Sequence, residues 1–559
     1  HDAVLKVFGV PVLYTPYFSH PDPTIKRKSG ILAPDVGNST LLGTFVQAPF
    51  YISLTDSRDL TLAPMYTADA GVMLQAEYRE RWNKGGMWLQ PSVTYDANSD
   101  TTGQKHQYYS SIFGSGRIPI TNVWNAGFDV QLTSNDTYLK RYDISSNDRL
   151  VSDLFIEGVS GRSRLAITGY YFQGLRTNDD PASTPFVLPL VEYTYIPRGD
   201  ILGGQFRFDI NTSALHRDLG VDSARATAEM RWRLPIITGN GQLITVQANA
   251  RGDVYRTQNN DPAATDLHGN LIPLNTRYIY RGLPYIAVDW RWPFVSQSPS
   301  RKTSFVVEPI AQLIAAPYGG NPDGIPNDDS VNFELDETDI FRFNPLPGYD
   351  RVETGPRANV GLRTETFFPT GSVEVLLGQS FRLKPEKVFG PGSGFSGKHS
   401  DIVGRLSLKF PPYFSATHRV DIDQSNGKVR RNEVYLDGNY GRTSLQLSYI
   451  RLAQQAVTPG LNSREEVSAE GTLGLWEHWA AFAGARRDLE RNQMLETEYG
   501  LGYEDECVRI SLSYRRKFIR DRDVPPSTAV ILRFKLKTGL SDDDQSSSDL
   551  FPRHIFSTP

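Results

Sequence analysis

The sequence predicts an all-β protein, a large transmembrane antiparallel β-barrel. Three observations carry that reading. Apolar and polar residues alternate with period two from about residue 41 to 538, and turn-forming clusters punctuate the alternation. No run of roughly 20 mostly apolar residues exists to cross a membrane as a helix. In GVMLQAEYRER, Val72, Leu74, Ala76 and Tyr78 share one face, while Gln75, Glu77 and Arg79 share the other. SLQLSYIRL sets Leu445, Leu447 and Tyr449 against Ser444, Gln446 and Ser448. ISLSYRRKF sets Ile510, Leu512 and Tyr514 against Ser511, Ser513 and Arg515. A strand with one apolar face must cover it. A soluble sandwich covers it with a second sheet; a membrane barrel turns it to lipid and leaves the polar face to a wet lumen. Polar faces rich in Arg, Glu, Gln and Ser, with tyrosines near strand ends (Tyr449, Tyr499, Tyr503, Tyr514), favour the barrel. At one strand and loop per ~20 residues, the chain holds about two dozen strands.

The elements follow in order. HDAVLKVFGVPVLY opens the chain in strand-like text without a signal peptide, which reads as a processed start with further sequence upstream. Residues 41–66, LLGTFVQAPFYISLTDSRDLTLAPMY, read as a hairpin turning at Thr55–Arg58, with Pro49 and Pro64 near the middle of its two strands. Proline donates no ladder hydrogen bond and belongs at edges or bulges. A two-residue turn at Asp56–Ser57 sets Pro49 opposite Pro64 but puts Leu60 and Leu62 on the polar side. A bulge, or a loop longer by one residue, restores the alternation and makes the prolines diagonal neighbours. Both registers are open at this point. Farther on, RTNDDPAS, TGNGQ, TQNNDPAATDLHGN, YGGNPDGIPNDDS and DQSNGK mark turns of unequal length, as expected of short turns on one rim and long loops on the other. The closing strand reads as about 527–537, with Val530, Leu532 and Phe534 opposite Arg533, Lys535 and Lys537. Residues 539–559 read as a polar tail.

Composition and motifs remove several function classes. Lys and Arg number 59 against 63 Asp and Glu, a net charge of −4, which argues against nucleic acid as a partner. GSGFSGKH (392–399) approaches a phosphate-cradling loop, but His399 stands where Ser or Thr would meet magnesium, and strand-like text follows it. The acidic loop 321–339, with Asp323, Asp328, Asp329 and Glu334, lacks calcium-loop spacing and reads as solvated. The nine histidines do not cluster at metal-ligand spacing, and neither G-x-S-x-G nor H-E-x-x-H occurs. No catalytic residue, metal or cofactor is assigned, and the chain is not read as an enzyme.

Several blocks resemble the LptD family of outer-membrane lipopolysaccharide-assembly proteins. GVPVLYTPYFSHPD with KRKSGILAP (9–34) resembles that family's passage from a periplasmic jelly roll into the barrel, and QAPFYISLTDSRDLTLAPMY its first barrel hairpin, both prolines included. SNDTYLKRYD (134–143), IPNDDSVNFELDETDIF and PGYDRVETGPRANVGL (within 325–362), SDIVGRLSL (400–408) and GLGYEDECVRISLSYRRKF (500–518) resemble further blocks. The resemblance implies a 26-stranded barrel, with residues 1–34 as the end of the jelly roll and its connector, 35–538 as the barrel and 539–559 as the tail. It implies lipopolysaccharide as cargo, an LptE-like lipoprotein plug in the lumen, an LptA-like periplasmic bridge upstream and a place in outer-membrane lipid. The family's consecutive cysteine pair is here the lone Cys507 after Glu506, so a family-like disulfide to the jelly roll has only that position.

On that resemblance the prolines acquire a purpose. Moving a phosphorylated sugar through lipid is prohibitive, whereas a wall that unzips along one strand pair keeps the sugar in the lumen and releases the acyl chains sideways. Each missing donor lowers the cost of parting by about 1 kcal/mol. The expected lateral gate comprises Pro49, Phe50, Tyr51 and Pro64 on the first hairpin and Val530, Leu532 and Phe534 on the closing strand. Arg533, Lys535, Lys537, Arg515 and Lys517 are candidate contacts for lipid phosphate. The plainer readings are ordinary bulges for the prolines and lumen hydration for the cations. The competing functions are a passive porin or receptor barrel for solute uptake and a secreted β-rich binding protein.

Overall fold

Period-two alternation closes into a cylinder. A computed structural model of the chain describes all residues other than 1–2, 8–9, 16–26, 97–106, 266–270, 272, 299, 301, 331–335, 387, 391, 454–462, 507, 523 and 537–559. The strands β1 (Ala3–Val7) and β2 (Val10–Thr15) form a separate two-stranded antiparallel sheet. From β3 (Gly30–Ile31) to the last strand, Ser527–Leu536, every segment belongs to one closed antiparallel barrel. Twenty-nine segments compose 26 staves, because three staves are each interrupted once. These are β3 with β4 (Asp35–Ser39), β5 (Gly43–Gln47) with β6 (Phe50–Thr55), and Thr276–Arg291 with Phe294–Ser298. The stretches read as strands, 71–81, 444–452 and 510–518, fall on the wall strands Gly71–Trp82, Thr443–Leu452 and Val508–Lys517.

Faces follow the alternation. Along Val221–Ile237, Ser223, Arg225, Thr227 and Glu229 are buried on the inside while Ala226, Ala228 and Met230 lie outside. Val72 and Leu74 point outward and are 56% and 43% exposed, whereas Met73 between them is 1% exposed. The outside is thus an apolar band and the inside a polar surface, the inverse of a soluble protein and the arrangement of a membrane barrel.

The two rims differ as expected. Connections 134–148, 175–185, 260–275, 316–356 and 383–401 leave one rim; those at 56–57, 83–84, 161–162, 369–370 and 441–442 leave the other. Because strands alternate in direction, this parity assigns the long loops to a single side. Packed apolar cores form where long loops fold inward. One gathers Leu42, Phe45, Met65, Met73, Tyr138, Leu139, Tyr142, Leu150 and Ile531; another gathers Ile340, Leu346, Phe389, Phe395 and Val403.

The loop 316–356 corrects one expectation. Asp328 and Asp329 are not solvated but docked on the arginine-lined inner side, with Arg217 holding Asp328 at 2.6 Å and Arg225 holding both Asp329 and Asp350 at 2.7 Å, while Asp323 is exposed and Glu334 lies outside the described residues. Arg281 donates to the Tyr349 and Asp350 carbonyls at 2.6 and 2.9 Å, and Arg405 and Arg419 reach the buried Glu337. The reason is distance in sequence: the guanidiniums lie on other strands, or in a turn for Arg217, far from the loop along the chain, so its charges look unpartnered when read locally. GSGFSGKH lies in the inward-folded loop 383–401, followed by the strand Ile402–Phe410 rather than a helix.

Candidate functional site

Among the described residues the shortest join in the wall is the one that closes it. The last strand pairs with β4 through four residue pairs, Ala529↔Ser39, Val530↔Asn38, Ile531↔Gly37 and Leu532↔Val36. Thr40 N–H donating to the Thr528 carbonyl at 3.0 Å closes the long-loop end. The same last strand makes ten pairs with its other neighbour, Val508–Lys517, and Val221–Ile237 pairs with Leu243–Asn259 along its full 17 residues. Below Leu532 and Val36 no further pairing joins the two lips among the described residues, so Arg533–Leu536 face an unzipped lower half.

The break has a local cause. Leu32, Ala33 and Pro34 separate β3 from β4, and Pro34 brings no N–H where the ladder stops. This corrects the sequence expectation about which strand forms the lip. The hairpin 41–66 supplies the second and third staves, β5–β6 and β7 (Arg58–Thr67), so Pro49 and Pro64 sit behind the seam rather than on it. DVGNS has no apolar alternation to announce β4 as a strand, which is why the first stave escaped the pattern.

The structure also chooses between the two registers of that hairpin. Phe50 pairs with Leu62 and Ile52 with Leu60, and a bulge between Ser53 and Thr55 precedes the Thr55↔Arg58 pair. Leu60 and Leu62 therefore face outward with Phe50 and Ile52, and Ala48, not Pro49, donates to the Pro64 carbonyl at 3.1 Å. Pro49 interrupts the second stave between β5 and β6, and its carbonyl accepts from Leu32 N–H at 2.8 Å. Pro34, Pro49 and Pro64 thus lie at nearly the same level on the first three staves.

Side chains sort cleanly by face. Phe50, Val530 and Leu532 are exposed on the outer face beside the seam, with Phe534 on the same side of its strand. Tyr51 turns inward next to Asp59, which also holds Arg79 at 2.8 Å and Arg27 at 3.3 Å. Arg533 and Lys535 alternate to the inside, with Arg533 in the field of Asp35 and without a salt bridge among the described residues. Arg515 and Lys517 are occupied: Arg515 pairs with Glu498 at 2.9 Å and Asp143 at 2.6 Å, and Lys517 lies 3.5 Å from Asp143. Lys537 and Cys507 lie outside the described residues.

Asp143 introduces a strap that pattern reading missed. The connection 134–148 carries a single helical turn, α1 (Tyr138–Arg141), and lies across the inner face of the seam. On the β4 side of the seam it packs Leu139 and Tyr142 with Leu42 in the turn after β4, Phe45 on the second stave and Met73 on Gly71–Trp82, and Tyr142 donates to the Ala70 carbonyl at 3.0 Å. On the other lip it packs against Ile531, pairs Lys140 with Asp521, and lodges Asp143 between Arg515 and Lys517. Burial acts to raise the Asp143 carboxyl, but Arg515 and Lys517 override it and hold it below the usual carboxylate range. That ion pairing therefore persists at neutral pH and is lost only as pH falls below the ordinary carboxylate value. A four-residue helix gives no periodicity to detect, so only SNDTYLKRYD, as a block, marked this segment.

Gly37 is the tightest point of the join. A Cβ there would stand 2.5 Å from the Phe45 ring and 2.7 Å from the Val530 carbonyl across the seam. Gly37→Val is expected to pry the lips apart. The variant barrel should retain its overall β content by circular dichroism, yet show faster amide exchange at Val530–Leu532 than the parent; unchanged exchange there would show that the join tolerates the side chain.

The inward loop has its own titration. Burial, then the neighbouring Asp336, pushes Asp339 up to about 6. Above its unfolded value a raised carboxyl opposes folding, so the loop's stability falls as pH rises from about 4 through about 6. Protease protection of 336–354 is expected to be greater at pH 5 than at pH 7.5, and Asp339→Asn should flatten the difference.

A large β-barrel with an apolar exterior, an arginine-rich interior and one short, strapped join is the class of protein these features define. A family model described as "LPS transport system D" matches residues 106–460. The chain belongs to the LptD family. Proteins named LPS-assembly protein LptD are 24% identical in Pseudoalteromonas atlantica, covering 92% of this chain and 66% of that protein, and in Acinetobacter baumannii, covering 94% and 64%. The relative in Thiobacillus denitrificans is likewise 24% identical, covering 92% and 68%. The chain spans about two thirds of the length of the curated relatives it matches.

Proposed function

We propose that the chain is the wall and lateral gate of a lipopolysaccharide export pore in the outer membrane. The observation that carries this reading is the four-pair seam. At about 1 kcal/mol net per hydrogen bond, its four pairs and the two Thr40–Thr528 bonds part for roughly 4 kcal/mol less than the ten-pair ladder beside it. The saccharide and phosphates travel in the polar lumen, where Arg533 and Lys535 line the inner edge of the unzipped half. The acyl chains leave between Phe534 on one lip and the Leu32–Pro34 break on the other, reaching lipid without dragging polar groups through it. The strap 134–148 braces the seam from inside until cargo arrives, and its removal from Ile531 accompanies opening.

The name shared by the relatives, and the conversion of a large closed barrel into one with a deliberate weak join, support export over passive solute uptake, which needs no parting wall. An LptE-like plug and an LptA-like bridge belong to this reading as partners. A photoreactive residue at the lumen-facing Ser511, beside Arg533, tests it in cells. Newly made lipopolysaccharide should be captured there while export runs; a solute pore would give no such adduct.

A further inference from the structure

At the short-turn end of the lumen, on the fourth to sixth staves, lies a dish of about 500 Å³ lined by Glu77, Arg79, Arg81, Trp88, Gln90 and Arg117, among others. Two cross-strand rows build it. Arg79, Trp88 and Ser115 stand side by side in one, and Arg81, Gly86 and Arg117 in the next toward the turns. All share the face of Asp59 and Ser92, which are buried, so the dish opens to the lumen and not to lipid.

Three features point to a ligand. Trp88 presents an indole 39% exposed to a polar lumen, with no ring or hydrogen-bond partner among the described residues. Arg81 on the same face makes no ion pair there, whereas its neighbours are compensated: Arg79 by Asp59 at 2.8 Å and Arg117 by Asp129 at 2.7 Å. Gly86 lies between Arg81 and Arg117, and a Cβ on it would come within 2.8 Å of the Glu80 carbonyl, so the floor between the two guanidiniums carries no side chain. Arg117 is further steadied over the Phe155 ring at 4.8 Å.

An aromatic face for the C–H side of a sugar ring, a free guanidinium for a phosphate and an amide for hydroxyls suit a phosphorylated saccharide. We propose that this dish is a docking site for the phosphorylated saccharide headgroup of the exported lipid as it reaches the lumen, Trp88 stacking on a sugar and Arg81 holding a phosphate. The inference rests on the export reading above and adds a binding site to it.

The test uses the full chain in detergent and three probes: inorganic phosphate, a deacylated phosphorylated glucosamine disaccharide and intact lipopolysaccharide. Disaccharide affinity is expected to fall roughly tenfold or more in Trp88→Leu and in Arg81→Gln, and to recover largely in Trp88→Phe, with inorganic phosphate binding far more weakly. Unchanged affinity in both variants, or phosphate binding as well as the disaccharide, overturns the proposal. Headgroup binding does not require the wall to part, so a barrel with its seam crosslinked should still bind the disaccharide. If seam crosslinking stops export while the dish variants bind like the parent, only the dish is wrong; if crosslinking leaves export intact, the export reading itself fails.

Discussion

Replacing Asn38 and Val530 by cysteine is expected to abolish lipopolysaccharide export under oxidising conditions and to restore it on reduction. The two residues are directly paired across the seam, and partners in an antiparallel ladder lie within the span a disulfide bridges. The bond would convert a join of a few weak hydrogen bonds into a covalent one. The control is a second pair, Leu512→Cys with Leu532→Cys, which links the last strand to its other neighbour and does not cross the seam. That pair should leave export near the parent level. The readouts are growth under depletion of the parent protein and surface lipopolysaccharide. Equal effects from both pairs would mean that crosslinking merely injures the barrel.

The second large effect concerns the strap. Leu139 is fully buried in the cluster that links Ile531 on the last strand to the staves behind β4, and truncating such a leucine to alanine costs about 2–5 kcal/mol. Adding Asp143→Asn removes the carboxylate shared by Arg515 and Lys517 and with it the strap's ionic tie to that side, while Arg515 keeps Glu498. The double variant is expected to let the seam open without cargo, making cells permeable to bulky polar antibiotics that the parent excludes. Combining it with the Asn38–Val530 disulfide should restore the barrier, because the covalent bond replaces the brace. A double variant as tight as the parent would remove the strap from the account.

How much of this was legible beforehand depended on what each signal requires. Gly71–Trp82, Thr443–Leu452 and Val508–Lys517 were readable because each strand has a lipid face and a lumen face, and the two solvents write opposite chemistry on alternate residues. The bulge at the first hairpin was readable as one of two options, since Leu60 and Leu62 had to regain the outer face. β4 was not, because Asp35–Ser39 meets a partner only at the weak join and has little apolar surface to display. For the same reason nothing around Pro34, which ends the ladder, reads as a strand, whereas Pro49 and Pro64 stand among legible alternation. The strap and the loop 316–356 depend on pairs such as Asp143 with Arg515 and Asp329 with Arg225, which lie hundreds or about a hundred residues apart. No local pattern records such a pairing.

The most direct measurement is the distance across the join while cargo is present. Spin labels at Asn38 and Val530 in the purified, membrane-embedded barrel should give one short, narrow distance without lipid, and a second, longer population when lipopolysaccharide is supplied from the short-turn side. A pair of labels across the Leu512–Leu532 ladder should not change. A seam distance that stays short and single with lipopolysaccharide bound would contradict the account.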